Sequence, residues 1–187
     1  MKDLTAMLST KARNDLWMDL ALVAFLIAFV VAARLLPHAP GFMPVAASAL
    51  FAGRMLRIPA MSLLVPVMAM GLSNMLLPVE NWGIVLVGIV AMAVPALAGI
   101  WSRRWNGALA IGATMVSCSL FFFIVSNFAV WLFGALYPHN LQGLVECYAM
   151  ALPFLDKTVL GDLFWCAVLF GGAWAIQNLP ATSRRAQ

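Results

Sequence analysis

The chain has 187 residues, of which 64% are apolar and 10% are charged, and its mean hydropathy is +0.97. Soluble domains are about half apolar and about one quarter charged, so this composition excludes a water-soluble globule and indicates an all-α integral membrane protein. The net charge of +4 does not indicate a nucleic-acid partner, because the basic residues occur singly or in pairs between apolar runs rather than in one patch.

Six apolar runs are the predicted transmembrane helices, since crossing a hydrocarbon core of roughly 30 Å takes about 20 apolar helical residues. In chain order they are 17–36, 44–57, 60–77, 82–101, 108–136 and 160–179. The second run is short and the fifth is long, so we expect the second to be tilted or to span only partly, and the fifth to be tilted or to project. Together the runs predict a single transmembrane domain, residues 1–187.

The distribution of Lys and Arg predicts that both termini face the cytoplasm, because these residues collect in cytoplasmic segments. Six spans then place nine of the eleven basic residues inside: Lys2, Lys11, Arg13, Arg54, Arg57, Arg103, Arg104, Arg184 and Arg185. The two on the outer side are Arg34 and Lys157. Adding or removing one span would disrupt this separation, so the number of spans and their direction are predicted together. We expect the protein to reside in a bacterial inner membrane.

Polar and aromatic side chains collect on the predicted outer side. The outer connection 137–159 is long, and we expect a short surface helix over 141–152 within it. Asn74 and Asn127 lie inside spans, where an unpartnered amide costs a few kcal/mol, and Trp131 lies one turn beyond Asn127 on the same face. These features predict an outward-facing ligand pocket, formed by Asn74, Trp82, Asn127, Trp131, Tyr137, His139, Glu146 and Tyr148 and assisted by His38 and Glu80.

A structural interpretation of the same residues stays open. The two amides and Ser126 can bond to neighbouring helices, while Trp82, Trp131 and Tyr137 suit the aromatic belt at a membrane interface. His38 and His139 lie in loops beside proline, where a solvated or turn-stabilising role is the alternative to metal ligation.

The first run carries small residues at helical spacing, Ala24, Ala28 and Ala32. Such a stripe lets another helix approach closely, so it predicts a face on which a partner helix docks. The chain is rich in alanine, so packing inside the bundle or chance spacing is the alternative.

No catalytic or energy-coupling motif occurs in the sequence, which has no Walker loop, no GxSxG elbow and no HExxH pair. The three cysteines have neither an even number nor CxxC spacing, so they indicate neither a disulfide framework nor a zinc site. We therefore expect no enzyme, no metal site and no cofactor. Two alternatives involve Cys147: it would ligate a soft metal centre beside Glu146, or act as a nucleophile with His139 as base.

Two segments of the sequence are distinctive: RLLPHAPGFMP at 34–44 with ALFAG at 49–53, and SCSLFF at 117–122 with SNFAVW at 126–131. The second is followed by Tyr137-Pro138, Gly143-Leu144, Cys147-Tyr148 and Leu152-Pro153-Phe154. Together they resemble a bacterial family of small membrane proteins of unknown function over most of residues 34–170. The chain departs from that family at Asn74, where the resemblance implies an Asp after Ser73, so any role of that carboxylate is weakened or changed here.

The architecture is also similar to the S-components of energy-coupling factor transporters, which are six-helix vitamin-binding subunits. This similarity implies capture of a vitamin or similar small molecule from the periplasmic side, and docking of the first helix, through its alanine stripe, on a transmembrane coupling subunit with ATPases. A substrate-binding subunit for uptake is therefore the leading hypothesis. A non-transporting scaffold or accessory subunit of a larger complex, and an intramembrane or periplasm-facing enzyme, are the alternatives.

Overall fold

Six α-helices form the described part of the chain, which comprises residues 2–37, 41–79 and 81–178 of the computed structural model, with side chains described from residue 13 onward. In chain order they are α1 (Lys2–Leu35), α2 (Val45–Met55), α3 (Leu64–Leu76), α4 (Trp82–Trp101), α5 (Ala108–Phe133) and α6 (Leu141–Gln177). A 3-10 turn, Pro59–Leu63, leads into α3, and another, Ser102–Arg104, follows α4. These ranges contain no β-strand, so the predicted all-helical class is confirmed.

Several helices are long and apolar enough to cross a membrane, as expected of a multi-pass membrane protein. Five such segments lie in the described ranges: Arg13–Leu35, Pro59–Leu76, Trp82–Arg104, Ala108–Phe133 and Leu141–Gln177. The predicted run 44–57 is different, because its helix α2 has only 11 residues. At about 1.5 Å per residue, α2 extends about 16 Å, roughly half of a hydrocarbon core.

Helix α2 lies at the centre of the bundle, with every residue from Val45 to Gly53 buried. Most of these residues are alanine, serine or glycine, whose small side chains let the surrounding helices approach the α2 backbone. The larger side chains fill the core between helices: Leu50 packs with Met115 of α5, and the rings of Phe51 and Phe170 lie 5.0 Å apart. A short helix with small residues is thus the centre around which the longer helices pack.

Helices α2 and α4 pack backbone against backbone where Gly53 meets Gly99. A β-carbon on Gly53 would overlap the carbonyl oxygen of Ala96, and a β-carbon on Gly99 would overlap that of Leu50. Glycine is therefore required at both positions by the close approach of the two helices.

Arginine side chains cap the helix ends on one side of the bundle. Arg54, in the last turn of α2, donates to the carbonyl and hydroxyl oxygens of Ser102 at the end of α4. In return, Arg103 donates to the carbonyl oxygens of Gly53 and Leu56, both at 2.7 Å. Each guanidinium thus satisfies carbonyl groups at the end of the other helix, where intrahelical partners are missing. We call this side the arginine end; it carries Arg54, Arg57, Arg103 and Arg104.

Two aspartates of α1 hold the link between α2 and α3 at the arginine end. Asp15 forms an ion pair with Arg57, and the backbone N–H of Ile58 donates to Asp19 Oδ2 at 2.7 Å. Because the Asp19 carboxylate is buried and holds a backbone group, we assign it a structural role.

The prediction for the last third of the chain was wrong. Residues 141–152 do not form a separate surface helix, and the predicted span 160–179 falls mostly in the second half of one 37-residue helix, α6. The first half of α6 packs along α5, where the Tyr148 hydroxyl donates to the carbonyl oxygen of Ile124 at 2.6 Å. Pro153 lies inside the helix rather than ending it. At about 1.5 Å per residue, α6 is about 55 Å long and exceeds the roughly 30 Å hydrocarbon core.

Candidate functional site

A cavity of about 250 Å³ lies between the helices, and all six helices contribute to its wall. Its lining residues are Arg34 of α1, Gly41 and Met43 of the connection after α1, Val45 and Ala46 of α2, Met70 of α3, Met92 of α4, Phe122 of α5, and Thr158 and Asp162 of α6. We call this space the inner cavity. Its wall combines flexible thioether and aromatic side chains with one cationic and one acidic side chain, a mixture typical of small-molecule sites.

Arg34 brings a cationic group to the inner cavity from the last turn of α1. Its Nη2 donates to Asn74 Oδ1 of α3 at 2.9 Å, and its Nη1 lies 3.9 Å from the sulfur of Met43. Its Nε is buried without a hydrogen-bond partner in the described ranges. A guanidinium has five N–H donors, so these contacts leave capacity for an acceptor inside the cavity.

Asp162 brings a carboxyl group to the same cavity from the middle of α6, and its side chain is only 4% exposed. The Ser119 hydroxyl of α5 donates to Asp162 Oδ2 at 2.6 Å. A carboxylate accepts at both oxygens, so one hydrogen bond leaves most of its capacity free.

The two opposite groups of the inner cavity do not contact each other. Among the described residues the structure has one ion pair, that of Arg57 with Asp15, and Arg34 and Asp162 do not form a second. Removing a charged group from water costs several kcal/mol unless an opposite charge or hydrogen bonds offset it. Arg34 and Asp162 without a direct contact are therefore unfavourable inside a membrane protein. A bound polar molecule that contacts both groups would lower this cost.

Residues 41–43, which precede α2, pack against α6 and form part of the cavity wall. Gly41 has φ +79°, a left-handed conformation that glycine adopts without strain, and a β-carbon there would lie 2.7 Å from Thr158 Oγ1. Beside it, a β-carbon on Gly161 would lie 3.0 Å from the Cα of Phe42. This tight fit keeps Thr158 and the neighbouring Asp162 beside the connection.

Two further buried polar atoms lack a hydrogen-bond partner in the described chain, the Ser48 hydroxyl and the Trp165 indole nitrogen. Ser48 lies one turn after the lining residue Val45, and Trp165 lies one turn after Asp162. Buried polar groups without partners are uncommon in folded proteins. These two polar groups therefore lie behind the residues that line the inner cavity.

Asn127 lines a second, smaller cavity of about 180 Å³, which shares Phe122 and Thr158 with the inner cavity. Ser126 lines it as well. The Asn127 side chain donates one N–H to the carbonyl oxygen of Phe123 in its own helix at 2.8 Å, so its second N–H and its amide oxygen remain to meet a ligand.

The residues predicted beside Asn127 serve mainly the junction of α5 and α6. The Trp131 indole donates to the carbonyl oxygen of Pro138 at 3.0 Å, and its ring lies 5.6 Å from that of His139. Cys147 is buried in the first half of α6, and its thiol lies 3.5 Å from the carbonyl oxygen of Asn127. Tyr148 holds α5 through its hydroxyl, so these predicted site residues lie along the helix interface and not around one pocket.

The remaining predicted site residues are spread over the same end of the bundle. Trp82 is the exposed first residue of α4, Tyr137 is half-buried in the connection before α6, and Glu146 is exposed on α6. His38 and Glu80 lie outside the described residues. Of the predicted set, Asn74 reaches the inner cavity through its hydrogen bond to Arg34.

The stripe formed by Ala24, Ala28 and Ala32 lies on the outer surface of α1, where all three residues are exposed. Packing inside the bundle therefore does not explain their spacing. In the described ranges, no three His, Cys, Asp or Glu side chains converge on a point that would hold a metal ion.

The sequence model of a family described as "Family of unknown function (DUF6580)" matches residues 14–183. The chain belongs to this family. No curated protein and no solved structure matches the chain at a significant level. Membership in DUF6580 therefore identifies the relatives of the chain without assigning an activity, and these comparisons provide no link to S-components.

Sequence reasoning missed the two ionisable residues of the inner cavity in this DUF6580 member. Arg34 was predicted only as a basic residue at the outer end of the first span, whereas the structure shows that it lines the cavity from the last turn of α1. Asp162 falls within a predicted span, and a carboxyl group there is by itself a signal of function. That signal is present in the sequence, and the predicted site did not include it.

Proposed function

We propose that this protein is a membrane-embedded binding subunit for uptake of a vitamin or similar small molecule, which it holds in the inner cavity. The observation that supports this best is the presence of Arg34 and Asp162 in one cavity without contact between them. A ligand that accepts hydrogen bonds from Arg34 and donates one to Asp162 would satisfy both groups at once.

The cavity volume limits the size of the ligand. A water molecule takes about 30 Å³ of liquid volume, so a space of about 250 Å³ corresponds to about eight waters. The best fit is a compact molecule of roughly ten non-hydrogen atoms with an anionic group at one end and a donor group at the other. Met43, Met70 and Met92 would contact its apolar part, because thioether side chains adapt to irregular shapes.

The proposed arrangement has six membrane segments, with α2 as a short segment inside the bundle and both termini in the cytoplasm of a bacterial inner membrane. The arginine end supports this orientation, since Lys and Arg collect on the cytoplasmic side. The connection from residue 41 to 44 lies at the opposite, periplasmic end. Ligand capture from that side, movement of this connection over the cavity, and reorientation of the bundle make up the proposed uptake cycle.

The exposed stripe formed by Ala24, Ala28 and Ala32 is the proposed docking surface for a transmembrane coupling subunit with ATPases, as in S-components. Small residues let two helices approach closely, and van der Waals contacts then stabilise the pair. Asn127, Trp131 and His139 lie near the outer end, where they would guide ligand toward the cavity rather than hold it.

Native mass spectrometry of the protein gently purified from its membrane tests the proposed ligand site. We expect a retained small molecule in the unmodified protein and at least about tenfold less of it in Asp162→Asn, because the amide keeps an acceptor oxygen but loses the charge, and a hydrogen bond to a charged group contributes about 1.5–3 kcal/mol. Asp156→Asn is the matched control, since it makes the same change at an exposed position of α6. Equal retention by the two variants would contradict the inner cavity as the ligand site.

A membrane scaffold that assists a larger complex is the second candidate function. The exposed alanine stripe favours it, because this surface is free to receive a helix whether or not a ligand is bound. Co-purification separates the two candidates. A stoichiometric protein partner that persists in Asp162→Asn, in the absence of any retained small molecule in the unmodified protein, would favour the scaffold.

A further inference from the structure

A long apolar groove runs along the outside of the bundle between α4 and α5. It consists of a cavity of about 500 Å³ near the arginine end and one of about 270 Å³ farther along, and Val94 and Phe121 line both. Along α4 the groove extends from Leu86 to Trp101, which is about 22 Å at about 1.5 Å per residue.

The groove has a shape that admits a chain of methylene groups. Near the arginine end its lining includes the small side chains of Ala98, Ala110 and Ala113 together with the larger ones of Phe121 and two tryptophans. Small residues in a row leave a channel that a narrow aliphatic chain fills. One leaflet of a bilayer contributes about 15 Å of hydrocarbon, half of the roughly 30 Å core, and the groove is at least that long.

The Arg104 side chain stacks on two tryptophans that line the groove. The guanidinium carbon of Arg104 lies 4.3 Å from the ring centroid of Trp101 and 5.1 Å from that of Trp105. Both tryptophans line the groove, and Arg104 is exposed and has neither an ion pair nor a hydrogen bond with any described side chain. Cation–π contacts with two rings therefore orient a charge whose hydrogen-bond donors are free.

We propose that the groove between α4 and α5 is a binding site for an anionic phospholipid, whose phosphate contacts Arg104 and one of whose acyl chains lies in the groove. The apolar channel and the adjacent free guanidinium match the two parts of such a lipid. Tryptophans at the level of the headgroup fit the same position, because indole rings favour the membrane interface. This site is separate from the inner cavity.

The other arginines of the arginine end do not compete for this role. Arg54 and Arg103 donate to backbone carbonyls at the ends of α4 and α2, and Arg57 pairs with Asp15. Arg104 is thus the arginine of this end whose donors remain available among the described contacts, and it lies beside the groove.

Native mass spectrometry from nanodiscs that contain equal amounts of phosphatidylglycerol and phosphatidylcholine tests the proposal. We expect the unmodified protein to retain phosphatidylglycerol in preference. Arg104→Gln should lower the ratio of bound phosphatidylglycerol to phosphatidylcholine about fivefold, since one basic residue near a membrane surface contributes about 1 kcal/mol to anionic lipid binding. Ala113→Phe, at an exposed groove position, should lower retention of both lipids by filling the channel.

Arg13→Gln is the matched control, because Arg13 is exposed on α1 and lies outside the groove. The proposal is overturned if Arg104→Gln leaves the ratio unchanged, or if Arg13→Gln lowers it equally, since the effect is then general surface charge. The proposal is also overturned if the unmodified protein carries a second copy or a protein partner that Ala113→Phe no longer binds, because the groove then holds a helix and not a lipid. The melting temperature of each variant confirms that it folds. It should stay within about 2 °C of the unmodified protein, which corresponds to a loss of less than about 0.5 kcal/mol in unfolding free energy.

Discussion

The buried carboxyl group of Asp162 needs hydrogen-bond partners, because an unsatisfied buried polar group is costly. Ser119 provides the hydrogen bond to Asp162 within the described chain, across the interface of α5 and α6. Removing that partner leaves a buried acceptor unsatisfied, which costs more than losing an ordinary surface contact.

Ser119→Ala should therefore lower the free energy of unfolding by about 1–3 kcal/mol. The measurement is an SDS titration of the protein in mixed micelles, followed by tryptophan fluorescence. Ser117→Ala is the matched control, because the Ser117 hydroxyl is exposed and donates within its own helix to the carbonyl oxygen of Ala113. The control should stay within about 0.5 kcal/mol of the unmodified protein, and equal losses in the two variants would contradict the role of Ser119.

Gly41 gives a second test at the level of one residue. Gly41→Ala adds a side chain to a left-handed backbone position and places its β-carbon 2.7 Å from Thr158 Oγ1, so we expect a loss of roughly 1–3 kcal/mol in the same titration. In Gly71→Ala the added carbon meets open space on helix α3, and alanine favours a helix by about 1 kcal/mol over glycine. That variant should be as stable as the unmodified protein or more so; similar losses in both would show that Gly41 is not constrained.

The residues of the inner cavity explain why the sequence predicted the site only in part. Arg34 and Asp162 are separated by most of the chain and meet the same space only after all six helices pack. The spacing of residues along the sequence does not predict that two such distant residues line the same cavity. Asn74 was predicted because an amide inside an apolar run is visible in the sequence, and the structure places it beside Arg34, where its oxygen accepts from the guanidinium.

At the scale of helices, the sequence predicted most boundaries because charge, proline and glycine mark the ends of apolar runs. The predicted run 82–101 has the bounds of α4, and 108–136 ends three residues after α5. For the region of α6, the sequence predicted a surface helix over 141–152 and a separate span at 160–179, whereas the structure has one helix. Packing along α5 overrides the predicted division, because the first half of α6 has a neighbouring helix to stabilise it.

The close packing of α2 against α4 is tested by adding a methyl group at the contact. Gly99→Ala should destabilise the protein by about 3 kcal/mol, because its β-carbon would overlap the backbone of α2 and force the helices apart. Gly88→Ala makes the same change on α4, where the added carbon lies 3.8 Å from the end of the flexible Met70 side chain. We expect Gly88→Ala to keep the unfolding free energy of the unmodified protein. A smaller loss in Gly99→Ala than in Gly88→Ala would refute the close packing.

At the scale of the whole molecule, the proposed orientation places the arginine end in the cytoplasm. Cysteine substitutions at two exposed positions test it: Asn106→Cys lies between α4 and α5 at the arginine end, and Gln142→Cys lies in the first turn of α6 at the opposite end. The three native cysteines are buried, so they add little background. A membrane-impermeant maleimide should label Gln142→Cys in intact cells and Asn106→Cys only after the membrane is opened. Labelling of both from one side would exclude this orientation.

The reciprocal arginine contacts between α2 and α4 also determine which part of the molecule is able to move. With Gly53 against Gly99 and a guanidinium tied across each helix end, these two helices form a rigid body at the centre. Pro153 removes one backbone hydrogen bond from α6, and the residues of α6 after it pack on the connection 41–44. In the proposed uptake cycle, this part of α6 and the connection are therefore expected to move together, while α2 and α4 keep their positions.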